Sequence, residues 1–219
     1  MRRLKRLFVA TLLLNAWTPL SAQSLRPDQV IFRDMFVELV NTDTSYSNGN
    51  CTLAAERMAK RMWAAGFSRQ EVRVIIPPGH EREGNLVAEL KGSSKKLKPI
   101  LLMGHLDVVE AKREDWNRDP FTLVEENGYF YGRGVADDKA RTAIWADSLI
   151  RYKQEGYKPK RTIKLAATCG EEGNSEVLNG AEWLARNMPE TLSAEFALNE
   201  GGGGRLDPAG HRQALAMQV

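Results

Sequence analysis

The chain has 219 residues, 42% apolar, 27% charged and 8% aromatic, which excludes a disordered, collagenous or polytopic membrane protein. The formal charge is +3, but Arg2, Arg3, Lys5 and Arg6 supply four positive charges at the start. Taking those four from +3 leaves −1, so no nucleic-acid partner is indicated.

Met1 to Arg6 is a basic segment, Leu7 to Leu14 a short apolar run, and Pro19-Leu20-Ser21-Ala22 a stretch of small residues. A spanning helix needs about 20 apolar residues, so this pattern reads as a signal peptide over 1–22, cleaved near Ala22. No cysteine follows the cleavage point, which argues against a lipid anchor. The mature protein, from Gln23, is expected to be secreted or periplasmic and free of the membrane.

Apolar spacing predicts helices over Pro27 to Val40 and about Thr52 to Ala65, the second ended by Gly66. Strands are expected at Val72 to Ile76, Asn85 to Leu90 and Ile100 to Met103, the last a continuous apolar run suited to a central position. A long helix is expected from about Ala136 to Gln154, a strand at Thr162 to Thr168, a helix at Gly180 to Asn187 and a strand at Phe196 to Leu198. Lys91 to Lys98 reads as a solvated loop. The fold class is therefore α/β: a layered domain with a central mixed, largely parallel sheet flanked by helices. Export would permit a disulfide between the two cysteines. Their surroundings instead favour separate thiols, Cys51 in a polar turn and Cys169 at the end of an apolar strand.

Ligands gather beyond the carboxyl ends of strands in such sheets. Three strands lead there into chemistry-bearing residues: Gly104-His105-Leu106-Asp107, Cys169-Gly170-Glu171-Glu172-Gly173 and Asn199-Glu200-Gly201. A glycine-flexed loop, Tyr131 to Lys139, adds Asp137 and Asp138. One imidazole with several carboxylates is a nitrogen and oxygen donor set suited to zinc, cobalt or manganese. Carboxylates crowded without a cation would repel one another.

The runs LLMGHLDVV (101–109), WNRDPF (116–121), YGRGVADDK (131–139), ATCGEEG (167–173) and LNEGG (198–202) resemble the M20 family of di-zinc metallopeptidases, which includes carboxypeptidase-like, dipeptidase and aminoacylase-like hydrolases. Ala140 departs from the usual glycine after the Asp-Asp-Lys run. The resemblance implies cleavage of amide bonds in small peptides or N-acyl amino acids through a water activated by two zinc ions. It implies His105 and Glu200 as ligands of one zinc, Asp137 as a bridge, Glu172 on the second zinc, Glu171 as general base, and Asp107 as the residue orienting the His105 ring. It further implies a cis peptide bond at Asp137–Asp138.

In the family a later histidine completes the second site after a lid or dimerisation domain. His80 and His211, in polar loops, read as surface residues. Residues 23–219 are accordingly expected to be the N-terminal portion of such a catalytic domain, with a homodimer expected only where the lid domain is present. The rival expectation is a non-catalytic remnant that keeps the fold and one metal.

Overall fold

The computed structural model describes residues 24–173, 177–200 and 203–216; the expected export segment at 1–22 lies outside the described residues, as do Gly201 and Gly202. The elements run α1 (Pro27–Val40), α2 (Cys51–Ala64), β1 (Val72–Ile75), β2 (Asn85–Leu90), β3 (Ile100–His105), β4 (Val124–Glu126), β5 (Tyr129–Tyr131), α3 (Lys139–Gln154), β6 (Ile163–Thr168), α4 (Gly180–Asn187), α5 (Pro189–Leu192), β7 (Phe196–Leu198), β8 (Gly203–Leu206) and β9 (Arg212–Ala216). Among the described residues no helix is long and apolar enough to cross a membrane.

Local chemistry sets the helix limits. Pro27 opens α1 with its fixed φ. Asn50 caps α2 through its side chain, which accepts from the Leu53 N–H at 2.9 Å, and Gly66 leaves that helix at φ 99°. Asn179 caps α4 in the same way, accepting from Glu182 N–H at 3.0 Å. The third helix begins at Lys139 rather than near Ala136, after a turn that contains Gly134 at φ 83°; the Asp137–Asp138 bond in that turn is cis, as expected.

Five strands form one sheet in the order β1-β2-β6-β3-β7. The pairs β1–β2 and β2–β6 are antiparallel, whereas β3–β6 and β3–β7 are parallel. The sheet is thus mixed, with its parallel half centred on β3. Alternate side chains divide between two faces. Leu86, Ala88, Leu90, Leu102, Leu165 and Ala167 pack under α1, α2 and α3 in the main core, together with Leu39, Met58 and Leu149. Val87, Leu101 and Ala166 face the other way, against Leu184 of α4. Lys164 reaches across that second face, and its ammonium donates to the carbonyls of Glu190 at 2.6 Å and Ser193 at 2.9 Å around the end of α5.

Two further results differ from the sequence-based expectation. Cys51 and Cys169 are not separate thiols: they form a disulfide, with Cα atoms 6.0 Å apart. The capped start of α2 lies beside the end of β6, and both cysteines are buried. Their 118-residue separation hid this proximity from any local pattern. The second difference is a pair of unanticipated hairpins, β4–β5 and β8–β9. The first turns at Asn127 and Gly128, both at positive φ, which is the chemistry of a tight hairpin turn.

Candidate metal centre

The parallel register explains how the site assembles. His105 ends β3 opposite Thr168, the last residue of β6, so the chain leaving β6 carries Glu171 and Glu172 past the imidazole. On the other side β7 pairs with β3 and delivers Glu200 two residues beyond its own end. The loop before α3 brings Asp137. All three strands contribute at their carboxyl ends.

His105 is buried at 1% exposure, yet its Nε2 faces a fan of carboxylate oxygens. Asp137 Oδ1 lies 3.0 Å away, Glu200 Oε1 3.3 Å and Glu171 Oε2 3.8 Å. Glu172 shares the cluster: donor atoms of His105, Asp137 and Glu172 lie within 4.8 Å of one another, as do those of His105, Glu171 and Glu200. On the far side of the ring, Nδ1 sits 3.0 Å from the Asp107 carbonyl oxygen. The Asp107 carboxylate is 3.6 Å from the same nitrogen, beyond hydrogen-bond range, and acts there through its charge. One of its oxygens accepts from the Glu172 N–H at 2.9 Å, and the other is buried without a hydrogen-bond partner.

Asp138, the residue after the cis bond, points away from the fan. It is fully buried, and its two oxygens accept from the His105 N–H at 3.0 Å and from Arg141 Nη2 at 2.5 Å. Thr142 supports the same backbone, donating to the His105 carbonyl at 3.2 Å. Lys139 is buried beside it, its ammonium on the Thr42 carbonyl at 2.7 Å, and burial lowers its pKa to about 7. His80 and His211 stay out of the cluster, paired in their own loops with Glu83 at 2.7 Å and Asp207 at 3.2 Å.

The electrostatics are those of a crowded anionic site. Burial would lower the His105 pKa, but the adjacent Asp107, Asp138 and Glu200 outweigh it and raise the value to about 10. Burial raises Glu171 and Glu172, and the neighbouring carboxylates push both further the same way, with His105 opposing. Asp107 is held low: burial works against its ionisation, but His105 and the backbone N–H groups of Glu172 and Glu171 prevail. A single imidazole whose Nε2 is faced by convergent carboxylates is a nitrogen and oxygen donor set that fits a divalent cation.

Every expected site residue therefore converges: His105, Asp107, Asp137, Glu171, Glu172 and Glu200. Arg141 was not anticipated from the sequence. Its signal was faint, an arginine one helical turn after the acidic pair, where it can turn back on Asp138. A cleft of about 130 Å³ opens beside the cluster, bordered by Tyr46, Val108, Val109, Glu172 and Val177.

Comparison with known proteins agrees with the fold. Peptidase family M20/M25/M40 matches residues 101–211. The chain is 40% identical over 121 residues to a probable succinyl-diaminopimelate desuccinylase of Staphylococcus aureus, covering 54% of this chain and 28% of that protein. It is 32% identical over 178 residues to aminoacylase-1 of Sus scrofa, covering 80% of this chain and 41% of the relative. Among solved structures, an M20 family metallo-carboxypeptidase from Sulfolobus solfataricus aligns with TM-score 0.64 at 21% identity, over 82% of this chain and 38% of that one. Human carnosine dipeptidase 1 aligns with TM-score 0.59 at 22% identity, over 78% and 38%. The two structures show the shared fold. The chain belongs to peptidase family M20/M25/M40, and it spans less than half the length of the curated relatives it matches.

Proposed function

We propose that this chain takes part in metal-dependent hydrolysis of amide bonds in small peptides or N-acyl amino acids. The carrying observation is the convergence of Asp137, Glu171, Glu172 and Glu200 on one buried imidazole at the carboxyl ends of parallel strands. His105, Asp137 and Glu200 would hold one zinc ion, and Asp137 with Glu172 would share in a second; cobalt or manganese suits the same donors. Bound there, such ions would polarise the scissile carbonyl and make a nearby water more acidic.

The protein's own groups do the rest. Glu171, half-exposed at the mouth of the cluster, accepts a proton from the attacking water on its carboxylate and returns it to the departing amine nitrogen. Its raised pKa, caused first by burial and then by neighbouring carboxylates, suits a base working near neutrality. Asp107 keeps the imidazole ring in place through its carbonyl and its charge. The cleft beside Glu172, walled by Val108, Val109 and Val177, offers room for a small apolar group of the substrate.

Export to the periplasm or the medium belongs to the same proposal. It is supported by the basic and apolar pattern of residues 1–22 and by the Cys51–Cys169 bridge, since disulfides persist in oxidising compartments. N-terminal sequencing of the mature protein checks it, with Gln23 expected first. Metal analysis, with dipeptide and N-acetyl amino acid hydrolysis measured with and without a chelator, tests the activity. Bound zinc and chelator-sensitive cleavage are expected; activity indifferent to chelator, or a protein free of metal, would overturn the reading.

A further inference from the structure

Arg141 stands outside the donor set expected from the sequence, yet it closes a ring of contacts around it. The His105 N–H donates to Asp138 Oδ2 at 3.0 Å, Asp138 Oδ1 accepts from Arg141 Nη2 at 2.5 Å, and the same Nη2 donates to Glu200 Oε2 at 2.7 Å. Glu200 Oε1 then faces His105 Nε2 at 3.3 Å, which completes the circuit. The two ends of this ring differ in rigidity. Asp138 is fully buried and packed under Gly104, where an added Cβ would come within 2.6 Å of its carboxylate. Glu200 follows β7, a three-residue strand whose side chains are exposed. Arg141 therefore ties a loosely framed carboxylate to a fixed one.

A guanidinium among ligands is electrostatically unfavourable for a cation unless it contributes geometry. We propose that Arg141 is a positioning residue: by occupying Glu200 Oε2 it leaves Oε1 as the Glu200 oxygen turned toward His105, where the two side chains would hold a divalent cation. The proposal rests on the reading of His105, Asp137 and Glu200 as a cation site. An ordinary ion pair at the start of a helix would need only Asp138; the reach to Glu200 is what points further.

The test is zinc affinity of the 219-residue chain, measured by competition with a chromophoric chelator. Arg141→Gln is expected to weaken binding by about 10-fold or more, the usual effect of losing a group that orients a ligand. Arg141→Lys, which keeps the charge but not the planar fork, is expected to fall between. In a Glu200→Gln background, Arg141→Gln is expected to cause little further loss, because the arginine acts through that carboxylate. Unchanged or tighter binding in Arg141→Gln, or full additivity with Glu200→Gln, overturns the proposal and leaves the cation site standing. Should Arg141→Gln fail to fold, unaltered affinity in Arg141→Lys overturns it equally. Equal, negligible zinc binding by the unaltered chain and by His105→Asn overturns the cation site itself, and the positioning role with it.

Discussion

Glu171 and Glu172 are neighbours with different surroundings. The Glu172 amide is held by Asp107 Oδ2 at 2.9 Å, whereas the Glu171 side chain is 50% exposed at the mouth of the site. On the proposed function Glu171→Gln removes a proton carrier and not a ligand, so turnover is expected to fall by 10²–10⁴-fold or more while zinc content is retained. Loss of zinc in step with activity would show that the two glutamates have exchanged roles. Asp107→Asn is expected to weaken zinc binding by roughly 10–100-fold, read by chelator competition, because the ring loses the charge beside Nδ1.

His105 gives the pH dependence. Its pKa in the metal-free fold is raised to about 10 from 6.5, so its contribution to stability is full below about pH 6.5 and is lost as the pH climbs toward 10. A cation must displace that proton. Zinc affinity is therefore expected to increase with pH across this window, with about one proton released per zinc at pH 7. Calorimetry in buffers of different ionisation heat counts it; no proton release would show His105 neutral or uninvolved.

At the scale of elements, two junctions hold the centre. The first is β3 against α3, where a Cβ at Gly104 would lie 2.4 Å from Thr142 Oγ1 and 2.6 Å from Asp138 Oδ2. Both are committed, Thr142 to the His105 carbonyl and Asp138 to the His105 amide. Gly104→Ala should thus cost about 1–3 kcal/mol in a urea titration and weaken zinc binding at the same time. A neutral substitution would mean that α3 shifts freely. The second junction is the disulfide joining α2 to the end of β6, just before the Glu171–Glu172 turn. It closes a loop of 118 residues, and removing such a constraint typically costs about 2–5 kcal/mol. Cys51→Ser and reduction by a dithiol should lower the urea midpoint alike, and equal midpoints with and without reductant would exclude the bridge.

For the whole molecule, the sheet order decides how far apart in sequence the partners of one site can be. β3 lies between β6 and β7, so residues 105, 171 and 200 meet at one end although 95 positions separate the first from the last. The same convergence concentrates negative charge, and the folded state gains from any dication that neutralises it. Zinc is expected to stabilise the chain by about 2.7 kcal/mol at 100 times its dissociation constant, seen as a higher melting temperature that chelator reverses. Among the described residues only one imidazole stands in the cluster, so one tightly held zinc per chain is expected by native mass spectrometry. Two equally tight ions would show that carboxylates alone complete a second site.

What could be read without the fold was local. Apolar runs ending at Met103, Thr168 and Leu198 marked strands and their carboxyl ends, because burial on both faces demands continuous apolar residues and chemistry-bearing groups follow where the strand stops; β3 itself runs on to His105. The limits of α1, α4, β2 and β7 matched their expected spans to the residue, since proline, capping asparagines and apolar periodicity act within a few positions. The candidate ligand types followed from the same local motifs. Tertiary structure decided the rest: that Cys51 meets Cys169, that Arg141 spans Asp138 and Glu200, and that His105 Nδ1 rests on the Asp107 carbonyl. The first two depend on how elements far apart in sequence are stacked, which no local run of residues encodes. The third joins residues two apart and was decided by the backbone path after β3, which sets the carbonyl rather than the carboxylate nearest the ring.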